Sequence, residues 1–514
     1  MITRRQFLRD IAISAAAMTT PKPLWADGGR ILRVSGAKPI RAWDPPEVYG
    51  TLEYCAQTAI YNRLLTHAPG EKWTLINEAA EYVDAVDGTH IKFKLKQGIK
   101  FTNGYGEMTA DDVKFSYERH FDPKINSQMK DNFGPMAGVE VTGRYTGVIV
   151  LKEPFPPFTD VVIAHSPGMI VSKKATLEAG GKFNLPPCSS GPYKLKRDTG
   201  KRCTILERND LWVGPPADFD EIHIKVIEDP KNAESAYDAG EIDFTQISLD
   251  SISNYVSNPR PNTTLLTRST LRYLWLGINT ENEVTKNEHL RRAIQYAINV
   301  DEILEKIYFG SAKRATGIIA PGLVGHRPKN LIEGPDLVKA GLSLKKAGYP
   351  NGLKLTLDVQ NTELFPAIGR IVQKQLIQAG IEVEVILRDS SSFWGLGNET
   401  KGDSWKNIQL ILNRFNSLPD PFYATVWFTK DQIGIWNWER FDNEEYNRLH
   451  VDGARELDPQ KRDLVYRRMQ DLLEESGAYV FITYPPELFL YRNHVIPALR
   501  PDGTPLFRYF QVAR

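Results

Sequence analysis

Cysteine is scarce in this chain: Cys55, Cys188 and Cys203 are the only three among 514 residues. So odd and widely spaced a set supplies neither a disulfide framework nor a thiolate metal site. Cys188 and Cys203 could pair in an oxidising compartment, but a hairpin turning near Thr199 sets Cys203 opposite the residues around Lys196, far along the ladder from Cys188, which disfavours that disulfide without excluding it. Histidine is thin as well, with nine residues scattered singly and no pair at helical spacing, so no metal site is expected. Neither sign of charge dominates: 64 basic residues meet 63 acidic ones for a formal charge of +1, which leaves no electrostatic footprint for nucleic acid. Beyond Ile11–Met18 no apolar run approaches the roughly 20 residues that a membrane-crossing helix needs. Also missing are a Gly-x-Ser-x-Gly elbow, a His-Glu-x-x-His pair, a Cys-x-x-Cys pair and a phosphate-cradling glycine loop. The chain therefore reads as a non-enzyme with no catalytic residues and no cofactor, and it shows neither internal repeats nor low-complexity tracts.

The N-terminus carries a clear signal. Thr3-Arg4-Arg5-Gln6-Phe7-Leu8-Arg9 is followed by the short apolar stretch Ile11–Met18, then Pro21, Pro23 and Trp25-Ala26-Asp27. A charged start, a brief apolar core and a small residue make an export signal, with cleavage expected after Ala26. The paired arginines before Phe-Leu are similar to a twin-arginine signal, which implies export of an already folded protein. No Cys follows the apolar core, so no lipid anchor is expected. Loss of residues 1–26 removes Arg4, Arg5, Arg9 and Lys22 against Asp10, which turns the formal charge slightly negative. With 41% apolar residues the remainder can bury large cores, and its length predicts two or three lobes.

Several helices announce themselves by their ends. Thr109-Ala110-Asp111-Asp112 places a capping Thr three residues before an acid, with Val113 and Tyr117 on one face. Asp229-Pro230 opens a helix that Gly240 closes, its buried stripe being Ala233, Ala236 and Tyr237. Leu290, Ala293, Ile294 and Ala297 share a face, and Asn299 with Glu302 restarts a helix carrying Ile303, Leu304 and Ile307. Asp458-Pro459 starts another through Leu464, Val465, Met469, Leu472 and Leu473, stopped by Gly477.

The clearest larger unit lies between Leu353 and Leu387. Leu353, Leu355, Leu357 and Val359 alternate, Ile368 to Ala379 follow helical spacing, and Val383, Val385 and Leu387 alternate again. That pattern is a strand, a crossover helix and a parallel strand, so this half belongs to an α/β lobe. The upstream half is richer in antiparallel signals, with a hairpin of Glu81–Val86 and His90–Leu95 around Asp87-Gly88 and more strand and turn at Gly143–Leu151. The change between the two halves falls near Tyr273–Asn279.

An ordered series of motifs then runs along the chain. It comprises Trp43-Asp44-Pro45, Ile60-Tyr61-Asn62-Arg63-Leu64-Leu65, Ala79-Ala80-Glu81, Phe93-Lys94-Leu95-Lys96-Gln97-Gly98-Ile99-Lys100-Phe101, Thr109–Val113, Ser189-Ser190-Gly191-Pro192-Tyr193, Ala239–Asp243, Gly277-Ile278-Asn279 and Leu290–Ile294. Each is weak alone, but in this order the chain resembles the family 5 extracellular solute-binding proteins, which serve oligopeptide, dipeptide, nickel and related ABC importers.

The resemblance implies a two-lobed α/β periplasmic binding-protein fold, type II-like, with mixed sheets flanked by helices and a hinged cleft. It also implies an N-terminal lobe of residues 27–275 plus 486–514 with an extra subdomain at about 55–185, and a C-terminal lobe of residues 276–485. The crossings fall near Thr270–Asn279 and Tyr479–Leu490. The partners implied are a peptide or small-molecule solute and an inner-membrane ABC permease, for a monomer.

For the ligand site the family pattern points first to Arg414, Phe415, Asn416 and Ser417, at the end of a strand beginning at Ile408. Many peptide-binding members carry an acid for the ligand's amino group three positions before the last acid of this loop, and here that position is Ser417. A neutral hydroxyl cannot balance a buried ammonium. Either Asp420 shifts to replace it, or the cargo is an opine, a glycoside, a modified peptide or a metal chelate. Arg414 suits a carboxylate or phosphate through its planar fork. Trp436 and Trp438 lie in the segment beside the cleft and share a face if that segment is extended, suited to stacking on a ligand ring. Trp275 at the first crossover, Gln246 after the Ile242 strand, Arg41 near the N-terminus and Tyr484 near the return crossing complete the candidate set.

Overall fold

The computed structural model describes residues 30–47, 50–200, 202–362 and 364–514. The export signal expected at residues 1–26 lies outside the described residues.

Two sheets organise the molecule. The first has seven strands in the order Tyr193–Asp198, Cys203–Arg208, Glu221–Val226, Ile31–Gly36, Phe244–Ile247, Pro486–Arg492 and Thr263–Ser269. Ile31–Gly36 runs parallel to both of its neighbours. Strict alternation of Leu32 and Val34 with half-exposed residues turns one face of that strand into the first core, where Trp43, Ile60, Phe219 and Phe507 also pack. The second sheet has six strands in the order Lys313–Arg314, Tyr479–Tyr484, Arg272–Ile278, Leu410–Asn416, Leu353–Gln360 and Ile381–Arg388. Leu353–Gln360 and Ile381–Arg388 are parallel and joined by the helix Phe365–Gln378, as the sequence pattern predicts. Leu357, Val359, Ile368 and Val372 bury one side of this sheet, and Trp275, Phe428, Tyr466 and Tyr479 bury the other.

The first sheet carries a satellite. Ala80–Ala85, His90–Leu95, Thr146–Leu151 and Met136–Gly143 form a four-stranded antiparallel sheet with its own core, in which Phe93, Val113 and Ile149 are buried. The helix Ala110–Glu118 lies against it, held at its start by the reciprocal Thr109–Asp112 capping box. Asp229, Asn299 and Asp458 cap their helices as the sequence indicates, each accepting from a backbone amide in the first turn. All three cysteines are free.

Among the described residues, two short crossings connect the lobes. The first is Thr270–Leu271, between Ser269 of one sheet and Arg272 of the other, so the whole strand Arg272–Ile278 pairs in the second sheet. The second is Pro485, between Tyr479–Tyr484 and Pro486–Arg492. Proline has no amide hydrogen, so two in succession interrupt the ladder where the chain changes sheets, and Pro486 occupies the first position of its strand, where proline is tolerated. Thr270 Oγ1 donates to the Pro485 carbonyl at 2.7 Å, which ties the crossings together. Arg272 pairs with Glu487 across the same junction.

Candidate functional site

A cavity of about 670 Å³ opens between the two sheets beside these crossings. Its first wall is built from the end of the first strand at Ser35–Gly36, the helix start at Gly50–Glu53, and Gln246–Asp250. Gly36 leaves this wall its room: a Cβ there would meet the Leu52 side chain at 2.3 Å, and the leucine would have to move. The opposite wall comes from the second sheet and the crossover helix, through Leu274, Phe365, Ile368 and Arg414. Pro485, Pro486 and the Arg272–Glu487 pair close the end nearest the crossings.

Most of the wall is apolar, and its charges differ in how they are held. Burial raises the Glu487 carboxyl above its ordinary value, and Arg272 opposes that shift. The Arg414 guanidinium stands 5.1 Å from the Phe365 ring centroid, a cation–π contact. Glu53 is only 5% exposed, and its Oε1 accepts the Arg41 backbone amide at 3.2 Å. Together these groups make an apolar chamber with an acid on one lobe and a guanidinium on the other. That arrangement suits noncovalent capture of an organic solute.

Two of the ten expected residues, Arg414 and Gln246, line this cavity. Arg41 contributes its backbone amide to Glu53, while the residue itself is exposed. Phe415 turns to the opposite face of the sheet from Arg414 and packs against Trp275, Trp427 and Trp436 at centroid distances of 5.1, 5.9 and 6.1 Å. Asn416 is exposed at the strand end. Ser417 is buried, its amide bonded to the Leu271 carbonyl and its hydroxyl donating to the Leu418 carbonyl at 3.1 Å.

Trp275 lies in the core with its indole N–H on Glu439 Oε1 at 2.7 Å. Tyr484 is buried and donates to the Ile319 carbonyl at 2.7 Å. Trp436 and Trp438 do not share a face, because Ile433–Asn437 closes a turn by an isolated bridge. Trp436 stays at the surface, 36% exposed, whereas Trp438 is buried against Gly397. Trp394 touches both indoles, at 6.3 and 5.8 Å.

Asp420 does not replace the acid missing at Ser417. It is buried and grips Arg462 through two hydrogen bonds of 2.8 Å, while Oδ1 also accepts the Phe422 amide. A bidentate pair of this kind leaves the carboxylate committed to the protein. Sequence reasoning missed Glu53, Glu487, Arg272 and Phe365. Glu53 had one signal, as an acid in the otherwise largely apolar stretch Thr51–Ile60; Arg272 and Glu487 had another, flanking the crossings.

A cleft between two α/β lobes, spanned by two short crossings, defines a periplasmic binding-protein fold. The model of the bacterial extracellular solute-binding proteins, family 5, matches residues 74–434, and the chain belongs to this family. It is a solute-binding transport protein rather than an enzyme, working outside the cytoplasmic membrane beside an ABC permease. Among curated proteins it is 25% identical over 453 residues to the glutathione-binding protein GsiB of Escherichia coli O6:K15:H31, covering 85% of each chain. Among solved structures, HbpA2 from Haemophilus parasuis superposes with a TM-score of 0.83 at 22% identity, over 94% of this chain and all of that one. The periplasmic binding protein DppA from Helicobacter pylori, in complex with the peptide STSA, gives 0.73 at 23% identity over 94% and 98%.

Proposed function

We propose that the interlobe cavity captures a peptide or peptide-like solute, which the protein then delivers to its permease. The observation that carries this reading is that one chamber is walled by both sheets and by the Pro485 crossing. Any occupant touches both lobes at once, so its binding energy is greatest when they close on it, and the hinge couples capture to shape. A volume of about 670 Å³ falls in the range of small-organic-molecule sites. The relative named for glutathione and the neighbour holding STSA are both proteins of small peptides. Arg414 is the proposed partner for a ligand carboxylate, with Gln246 on the facing wall.

A thermal-shift panel of di- to pentapeptides, opines and oligosaccharides on the mature protein tests the ligand class. At 100 times its Kd a true ligand adds about 2.7 kcal/mol of stability by mass action and is recovered intact. Stabilisation by oligosaccharides or opines with none by peptides removes the peptide reading. Consumption of a bound compound removes the receptor reading altogether.

The export route proposed is the twin-arginine one, supported by Arg4-Arg5 before Phe7-Leu8. Changing both residues to Lys (Arg4→Lys, Arg5→Lys) should hold the precursor inside the cell. Undiminished export of that variant rules the route out.

A further inference from the structure

The cavity contains an acid that the fold does not use. Glu53 occupies the third position of the helix Thr51–Ile60, after the N-cap Gly50. It is 5% exposed, yet its hydrogen bonding is limited to the 3.2 Å bond that Oε1 accepts from the Arg41 amide. An ionised carboxylate offers about four acceptor positions. No lysine, arginine or histidine among the described residues lies within ion-pair distance of it: Arg272 holds Glu487, Arg63 holds Glu78, Arg119 holds Asp44 and Arg500 holds Asp502. The second oxygen faces Gly50, where a Cβ would come within 3.1 Å of Oε2, and both residues line the cavity.

A buried anion without a cation is costly unless something brings the cation to it. We propose that Glu53 is the receptor for the solute's ammonium group and takes the role for which Ser417 and Asp420 are unsuited. This rests on the interlobe cavity being the solute site. The ligand class is thereby narrowed to molecules with a free primary amine at one end, held by the N-terminal lobe. A carboxylate at the other end reaches Arg414 across the cleft, so the two charges of one zwitterion engage both lobes. Ammonium to carboxylate is a charge-assisted hydrogen bond, the strong kind in a water-poor site.

The test compares two randomised tripeptide and tetrapeptide libraries, identical except that one is N-acetylated, offered to the mature wild-type protein and to Glu53→Gln. Retained peptides are read by mass spectrometry. The wild type should retain the free-amine library at least about tenfold over the acetylated one, and the variant should lose that preference. Gln keeps an oxygen for the Arg41 amide, and the acetylation arm uses unaltered protein, so a misfolded variant does not blunt the test. Equal retention of both libraries by the wild type overturns the assignment, as does an undiminished preference in Glu53→Gln. Retention of neither library overturns it together with the peptide reading, which separates the two failures.

Discussion

Glu78 and Glu53 are both buried carboxylates of the N-terminal lobe, and they are treated in opposite ways. Glu78 accepts from Arg63 Nε at 2.9 Å on one oxygen and from Arg508 on the other. Those arginines are themselves saturated: Arg63 also reaches Tyr54 and Thr66, and Arg508 reaches the carbonyls of Thr58 and Tyr61 and the amide oxygen of Asn62. Glu53 has a single backbone amide. A fully satisfied charge is structural, here pinning the C-terminal tail to the first lobe through Arg508, whereas a partly satisfied one on a cavity wall is kept for a visitor.

Breaking the saturated side of this comparison should have the largest effect. Glu78→Ala strands two buried guanidinium groups, and removal of one partner from a buried ion pair costs about 3–5 kcal/mol. Urea unfolding of the ligand-free protein should show that loss. A change below about 1 kcal/mol would mean that the network is no firmer than a surface pair.

Glu439 stands between the two cases. It is buried beside the aromatic cluster of Trp275 and Tyr479, receives the Trp275 indole N–H, and has no cation within ion-pair distance among the described residues. Burial pushes its carboxyl up from 4.5 to about 7, with the indole hydrogen bond opposing. The folded state therefore holds a proton that the unfolded chain releases near 4.5, and stability falls as pH rises from there through about 7. Over that window the loss is on the order of 3 kcal/mol. Glu439→Gln should flatten the dependence of the thermal midpoint between pH 5 and 8, and an unchanged slope would assign it to other groups.

The same contrast explains what was legible in the sequence. Helix ends, the parallel strand–helix–strand unit and the hairpin at Asp87-Gly88 could be read because their causes are local: caps, alternation and turn residues. Recognisable motifs such as Asn62-Arg63 and Trp43-Asp44 proved to be joints, with Asp44 held bidentately by Arg119 at 2.5 and 2.8 Å. The cavity is different, because it is assembled from segments as distant as Glu53, Phe365 and Glu487. No spacing links them, and only the paired crossings bring them together. Position in a family pattern led to the strand carrying Arg414, which lines the cavity. It could not reveal that Phe415 and Ser417 turn away from the cavity, since that depends on strand alternation and on the Leu271 contact.

Arg414→Ala should have the smallest effect on the fold and sharpens the comparison from the other lobe. The side chain is half-buried and rests on Phe365, a contact worth about 0.5–1 kcal/mol. With the side chain only half-buried, unfolding of the ligand-free protein should shift far less than on loss of Glu78, by about 1 kcal/mol. Binding should respond differently. A guanidinium facing the cavity from the second lobe meets the ligand only when the lobes approach, so its loss falls on the closed complex. For a peptide retained by the wild type, Arg414→Ala should weaken affinity by at least about tenfold, while C-terminal amidation of that peptide should matter to the wild type and hardly at all to the variant. Equal sensitivity to amidation in both proteins would place the carboxylate elsewhere on the wall, with Lys38 and Arg272 the remaining cations there.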